Sequence, residues 1–251
     1  MSELMRYPQF VFILSLAVLL LAARIGAAFE GLQEKDLEIF NVVRSAALTL
    51  LGLIIGFSFS MASSRYDQRK DLEQAEASAI STEYTRADVL PAADAAKVRA
   101  MLISYLDERL LYYRTREDRQ LEQINSTLSR LEGELWAAVR HPAEANPTQI
   151  VALAVSGVND VSNSRGFTEA AWLNRIPSAA WLLMFGIAIC CNLLLGYGLK
   201  ITGARRVILL VIPLIVAICF ALIADIDSPR GGFIHIVPQN LVSVAQSLPN
   251  D

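Results

Sequence analysis

The chain has 251 residues, 54% of them hydrophobic, with 22 Lys and Arg against 25 Asp and Glu for a net charge of -3. A mean hydropathy of +0.40 is high for a soluble domain and suits an integral membrane protein. The charges are interspersed and nearly balanced, so neither a nucleic-acid footprint nor a polybasic lipid-binding tail is present.

A helix needs about 20 apolar residues to cross the hydrocarbon core, and four stretches qualify: 10–29, 42–63, 179–201 and 207–226. The first has small residues near its end, Ala22, Ala23, Ala27 and Ala28, as a signal peptide would. It is preceded by a single basic residue, Arg6, beside Glu3, and it exceeds a usual signal core, so it reads as a retained span.

The second span runs without a proline or glycine-rich break into Arg65-Tyr66-Asp67-Gln68-Arg69-Lys70. One helix is therefore expected to cross the bilayer and continue beyond it. At 100° per residue, Thr49, Leu53 and Phe57 form a stripe, with Val42, Ala46, Ser60 and Ser64 close to the same line. Gly52 and Gly56 lie beside it, and small residues at this spacing let helices approach closely in a membrane. A ring of such helices would have an apolar constriction at Leu53 and Phe57, with Ser60 and Ser64 below it, and constrictions of that kind gate by dewetting. Ordinary helix packing produces the same pattern.

Between spans two and three, residues 64–178 read as helical. A first helix is expected over about 66–90, stopped by Pro91. Asp94 is placed to cap a second helix that continues to about Arg140. Within it Leu121, Ile124, Leu128, Leu131 and Leu135 alternate at three and four residues, a stripe that packs on another helix or on its own copy. His141-Pro142 is expected to end it, and Asn146-Pro147 to form a loop before a third helix through Ile150, Leu153, Val158 and Val161.

Cys190, Cys191 and Cys219 all fall within spans three and four, an odd count with no disulfide framework. Asn192 in span three is expected to hydrogen-bond another span, and Pro213 to kink span four. Asp225, Asp227 and Arg230 stand where span four ends. Two readings are open: a cation site or switch contact to Arg65, or a salt-bridged turn closed by Pro229 and Gly231. Arg24 and Arg44 either form an electropositive outer vestibule or extend to headgroups and pair with Glu30 and Glu38.

An even span number puts both termini and the large loop on one side. Arg65, Arg69 and Lys70 after span two, and Arg175 before span three, contrast with Glu30, Glu34, Asp36 and Glu38 against Lys35 between spans one and two. The positive-inside rule places termini and large loop in the cytoplasm; Lys200, Arg205 and Arg206, between spans three and four, run against it. His141 and His235 lack ligand spacing, and no metal, nucleotide or hydrolase motif occurs. No catalytic residue, metal site or cofactor is expected.

Three pieces carry a family resemblance: Leu51-Gly52-Leu53-Ile54-Ile55-Gly56-Phe57 with Ser60-Met61 and Arg65-Tyr66-Asp67-Gln68-Arg69; Glu76-Ala77 with Ala79-Ile80 and Arg86-Ala87-Asp88-Val89-Leu90-Pro91; and Asp225-Ile226-Asp227-Ser228-Pro229-Arg230-Gly231. Together they resemble the bestrophin-like bacterial membrane proteins and, more distantly, bestrophins, which are pentameric anion channels with an apolar neck. The resemblance implies neck positions at Thr49, Leu53 and Phe57. Thr49 departs from it by being polar, and Asp225 and Asp227 are two carboxylates rather than the acidic run of a calcium clasp.

The expectation is thus an all-α membrane protein with four transmembrane helices. A first helix pair occupies 1–63, a cytoplasmic helical domain 64–178, a second helix pair 179–227 and a cytoplasmic tail 228–251. Its partners are membrane lipids, copies of itself (a pentamer by analogy) and permeant anions, and its place is a bacterial inner membrane. It would be a passive anion channel through the span-two neck; the alternative is a pore-less helical scaffold or sensor.

Overall fold

The computed structural model describes residues 7–29, 37–202 and 208–249. Glu3 and Arg6, used above to read the first span as retained, and Glu30, Glu34, Lys35, Asp36, Arg205 and Arg206, used for topology, lie outside the described residues. The helices are α1 (Pro8–Ala28), α2 (Leu37–Arg86), α3 (Ala92–Arg114), α4 (Asp118–Ala145), α5 (Gln149–Leu173), α6 (Ser178–Thr202), α7 (Ile208–Asp227) and α8 (Gln239–Ser247). No strand occurs among the described residues. The four apolar stretches fall on α1, α2, α6 and α7, each long and apolar enough to span a membrane.

The expected continuity of span two holds. α2 is a single helix of 50 residues, closed by a 3-10 turn at Ala87–Val89 before Pro91. Three expectations need correction. The helix foreseen from Asp94 to Arg140 is two helices, broken at 115–117, where Thr115 and Glu117 take extended backbone. Asp94 is not its cap but lies in the first turn of α3, which starts at Ala92 behind Pro91. Pro142 does not end α4, which runs to Ala145. A proline so near a C-terminus costs a single donor, and its own carbonyl still accepts the Asn146 N–H at 3.0 Å.

By its internal contacts the chain divides into two units. The first comprises Met1–Tyr66 and Arg175–His235. Here α1 packs on α6 and α7 around Leu19, Trp181, Met184, Phe220 and Ile223. Glycine sets the α1–α6 approach: a Cβ on Gly26 would stand 2.0 Å from the Leu193 carbonyl oxygen, and one on Gly196 1.9 Å from that of Ala23. Asn192 is fully buried, but its amide donates to Ala188 of its own helix at 2.8 Å rather than to another span. The expected bond to another span is thus not made among the described residues: Nδ2 is paired within its own helix, and Oδ1 is buried without a hydrogen-bond partner.

The second unit comprises Asp67–Asn174 and Ile236–Asp251. The α4 stripe Leu121, Ile124, Leu128, Leu131 and Leu135 is buried, and α4 packs on α3 and α5. The stripe is therefore consumed inside the chain, the first of the two packings expected of it, against another helix rather than against its own copy. Trp172 of α5 rests on Tyr112 and Tyr113 of α3, with ring centroids 5.4 and 5.2 Å apart.

The buried face that α2 contributes to this unit is largely ionic: Arg69, Glu73, Glu76, Ile80 and Glu83, at helical spacing. Arg69 donates to the carbonyls of Ala171 (3.1 Å) and Asn174 (3.0 Å) at the end of α5. Glu73 accepts the Leu241 N–H at 2.9 Å and the Asn240 amide at 2.6 Å in the first turn of α8. Each charge meets the helix end of complementary sign. Glu76 binds the guanidinium of Arg109 through both oxygens, and both side chains are fully buried. Tyr113 Oη and Thr168 Oγ1 stand 3.3 and 3.2 Å from the same carboxylate. Burial opposes the charge on Arg109, but the Glu76 carboxylate outweighs it and holds the guanidinium protonated. Burial, reinforced by that carboxylate, pushes the Tyr113 phenol well above its ordinary range.

Candidate pore-lining face of the second span

α2 has a covered side and a bare side. Leu51, Ser58 and Ala62 are buried, with Ile55 partly so. About 170° round the helix, by the 100° turn per residue, stand Thr49, Leu53, Phe57, Ser60 and Ser64, all exposed. Leu53 is 54% and Phe57 62% exposed, and Val42 and Ala46 continue the face. Space beside Gly52 and Gly56 is open: an added Cβ at either would meet nothing within 4 Å. Of the most apolar 18-residue stretch of this helix, 11% is buried, against 33%, 33% and 50% in the other three candidate spans. The second span is the least covered by its own chain.

Thr49, the polar member of the stripe, donates its hydroxyl to the Ser45 carbonyl at 2.9 Å. A hydroxyl paired one turn back leaves mainly the methyl to face outward, so the position is less polar than its residue type suggests.

At the end of the same helix half lies a charged turn. Arg65 Nη1 is 3.5 Å from Asp227 Oδ1, and both Asp227 oxygens accept the Ile176 N–H at 3.1 Å. Asp225 accepts the N–H of Phe233 at 2.8 Å and of Ile234 at 3.1 Å. Ser228 Oγ accepts from Gly231 at 3.1 Å, and Arg230 is half-buried in the same turn. Gly232 has φ +93°, and a Cβ there would fall 1.6 Å from Asp225 Oδ1. Only glycine permits the turn to close over that carboxylate. The structure thus brings Arg65 and Asp227 together and gives Asp225 to the turn. No group of three metal-ligating side chains occurs among the described residues.

Of the arginines in the first two spans, Arg44 lies over the Phe40 ring, 5.8 Å from its centroid, and Arg24 is exposed. Sequence reasoning missed Gly26 and Gly196, which set the α1–α6 approach within the chain. It also missed the α8 contacts to Glu73 and the buried acids of α2. The signal for the acids was Arg109, placed among Leu102, Tyr105, Leu106, Tyr112 and Tyr113 on the buried face of α3.

The Bestrophin-like domain family model matches residues 10–241. The chain belongs to the bestrophin-like family. Among solved structures, a variant of a bacterial bestrophin homologue from Klebsiella pneumoniae matches with TM-score 0.65 and 15% identity, over 94% of this chain and 96% of that one. A further structure of the Klebsiella pneumoniae homologue gives TM-score 0.64 and 16% identity, over 94% and 99%. One described as a membrane protein gives 0.63 and 15%, over 93% and 98%. A search of curated proteins found no match. At such identities the likeness carries the fold, an all-helical membrane protein with four spans.

Proposed function

We propose that this bestrophin-like chain assembles as a closed homo-oligomer and conducts ions passively along an axial path lined by the second span, with Leu53 and Phe57 as its apolar neck. The observation that carries the reading is the bare face of α2. The span with the least cover from its own chain is the one whose exposed line is continuous from Val42 to Ser64. A single helix encloses nothing, so the path needs copies of the chain, and closed cyclic symmetry is the physical expectation for a ring. The open flanks at Gly52 and Gly56 allow neighbouring copies of α2 to approach closely. Anions as the permeant class, and five as the number of copies, rest on the likeness to bestrophins. An apolar neck does not select by charge.

In the same reading residues 64–178 and both termini face the cytoplasm of a bacterial cell, as the cations after span two favour. Arg65 and Asp227 tie the end of the second span to the end of α7, a structural contact below the neck. The test is flux from purified protein in liposomes, with chloride and potassium gradients imposed separately. Chloride flux well above that of potassium supports the proposal. Correctly inserted protein that passes neither ion, across several pH and calcium conditions, overturns it in favour of a pore-less scaffold.

A further inference from the structure

Of the ionic residues on the buried face of α2, Arg69, Glu73 and Glu76 all have partners, as set out above. Glu83, seven residues beyond Glu76, does not. Its side chain is fully buried, yet among the described residues neither carboxylate oxygen has a hydrogen-bond donor. It occupies a notch in α5 made by Gly157: a Cβ there would lie 1.6 Å from Glu83 Oε2 and 3.1 Å from Arg86 Nη1. No side chain other than hydrogen fits that position while the acid is in it.

The charges acting on Glu83 are Arg86, one turn along its own helix, and Asp160, one turn along α5 from Gly157. They are paired with each other, Arg86 Nη1 to Asp160 Oδ2 at 3.3 Å, in a partly exposed bridge. Asp88 in the 3-10 turn and Arg99 of α3 pair with one another. An ionised carboxylate buried without a donor is costly, so such a group keeps its proton. Burial, with a smaller push from Asp160, raises Glu83 from an ordinary 4.5 to about 8 against the pull of Arg86.

We propose that Glu83 is a proton-binding site that controls an ion-pair exchange between α2 and α5. With its proton, the neutral acid fills the Gly157 notch and Arg86 stays on Asp160. When the proton leaves to solvent, the carboxylate draws Arg86 away from Asp160, so the two helices exchange one inter-helix bridge for a contact within α2. The proton is the ligand, no other reactant is needed, and the device stands whether or not the protein conducts.

Infrared spectroscopy of the full-length protein in lipid, titrated from pH 6 to 10, tests it, with Glu83→Gln and Asp160→Asn alongside. Glutamine reproduces the neutral acid in shape, so Glu83→Gln is expected to fold at neutral pH. The wild type should show a protonated-carboxyl carbonyl band that disappears near pH 8, and the band should be missing from Glu83→Gln. Asp160→Asn frees Arg86 to serve Glu83, so its midpoint should move down by a pH unit or more. Amide protection around 149–160, with the base-catalysed intrinsic rate divided out, should change with pH in the wild type and stay flat in Glu83→Gln. Absence of a Glu83-dependent band at neutral pH overturns the site. A band whose midpoint is unmoved in Asp160→Asn overturns the exchange.

Discussion

Replacing Glu76 by alanine strands the most deeply buried cation of the helical unit. Arg109 has no exposed surface and gives both its Nε and Nη2 to this one carboxylate. Tyr113 and Thr168 lose the same acceptor, although Thr168 keeps the Ser164 carbonyl at 2.9 Å. Breaking a buried pair by removing one partner costs about 3–5 kcal/mol, because the remaining charge is desolvated and uncompensated. Glu169, 3.6 Å from Arg109 Nη1 and 30% exposed, offers a weaker substitute and argues for the lower half of that range. The double variant Glu76→Ala/Arg109→Met removes the stranded charge together with its partner, and should be more stable than Glu76→Ala alone. Denaturant unfolding in mild detergent, followed through Trp172 against Tyr112 and Tyr113, measures both. A loss under about 1 kcal/mol for the single variant, or a double variant whose losses simply add, would refute the reasoning.

Other perturbations follow from the same geometry. Gly26→Ala and Gly196→Ala drive a Cβ into a facing backbone carbonyl at 2.0 and 1.9 Å, so each should lower thermal stability by about 1–3 kcal/mol. Gly52→Ala and Gly56→Ala, which meet open space, should leave the isolated chain's stability unchanged and lower the oligomer fraction on cross-linking. Gly232→Ala adds a positive-φ penalty of about 1–3 kcal/mol and should loosen the Asp225 turn, read as faster amide exchange at Phe233 and Ile234. For Glu83 the folded state holds its proton up to about pH 8 while the unfolded chain releases it near 4.5. Between those values the folded form binds more protons. Stability contributed by the group is therefore complete at low pH and falls, by about 1.4 kcal/mol per pH unit, as pH rises through that window. Glu83→Gln should flatten this component of the stability profile.

The spans were legible because hydrocarbon imposes a composition over a length. The expected 10–29 and 179–201 correspond to helices Pro8–Ala28 and Ser178–Thr202. The continuity of α2 was legible from the lack of any breaker between Ser64 and Lys70. The turn at 115–117 was not, since Arg114, Thr115, Arg116 and Glu117 include no proline or glycine to mark it. The burial of Glu73, Glu76 and Glu83 was not legible, because charge at core spacing ordinarily means water. For Glu73 and Glu76 the compensating groups lie far along the chain, at Leu241, Arg109 and Thr168, and only the fold brings them together. The exposed stripe of α2 was visible as periodicity, but the sequence gives no way to tell a pore face from a lipid face.

That distinction is the central claim, and solvent access at position 57 tests it most directly. Phe57→Cys, made with Cys190, Cys191 and Cys219 replaced by alanine, is reconstituted in liposomes and exposed to a charged, membrane-impermeant thiol reagent while chloride flux is followed. The pore account predicts modification at Cys introduced there, with flux blocked as it proceeds and restored by reducing agent. A thiol that remains unmodified in protein that still conducts, or that reacts only with a lipid-soluble reagent, would place the face against lipid and contradict the account.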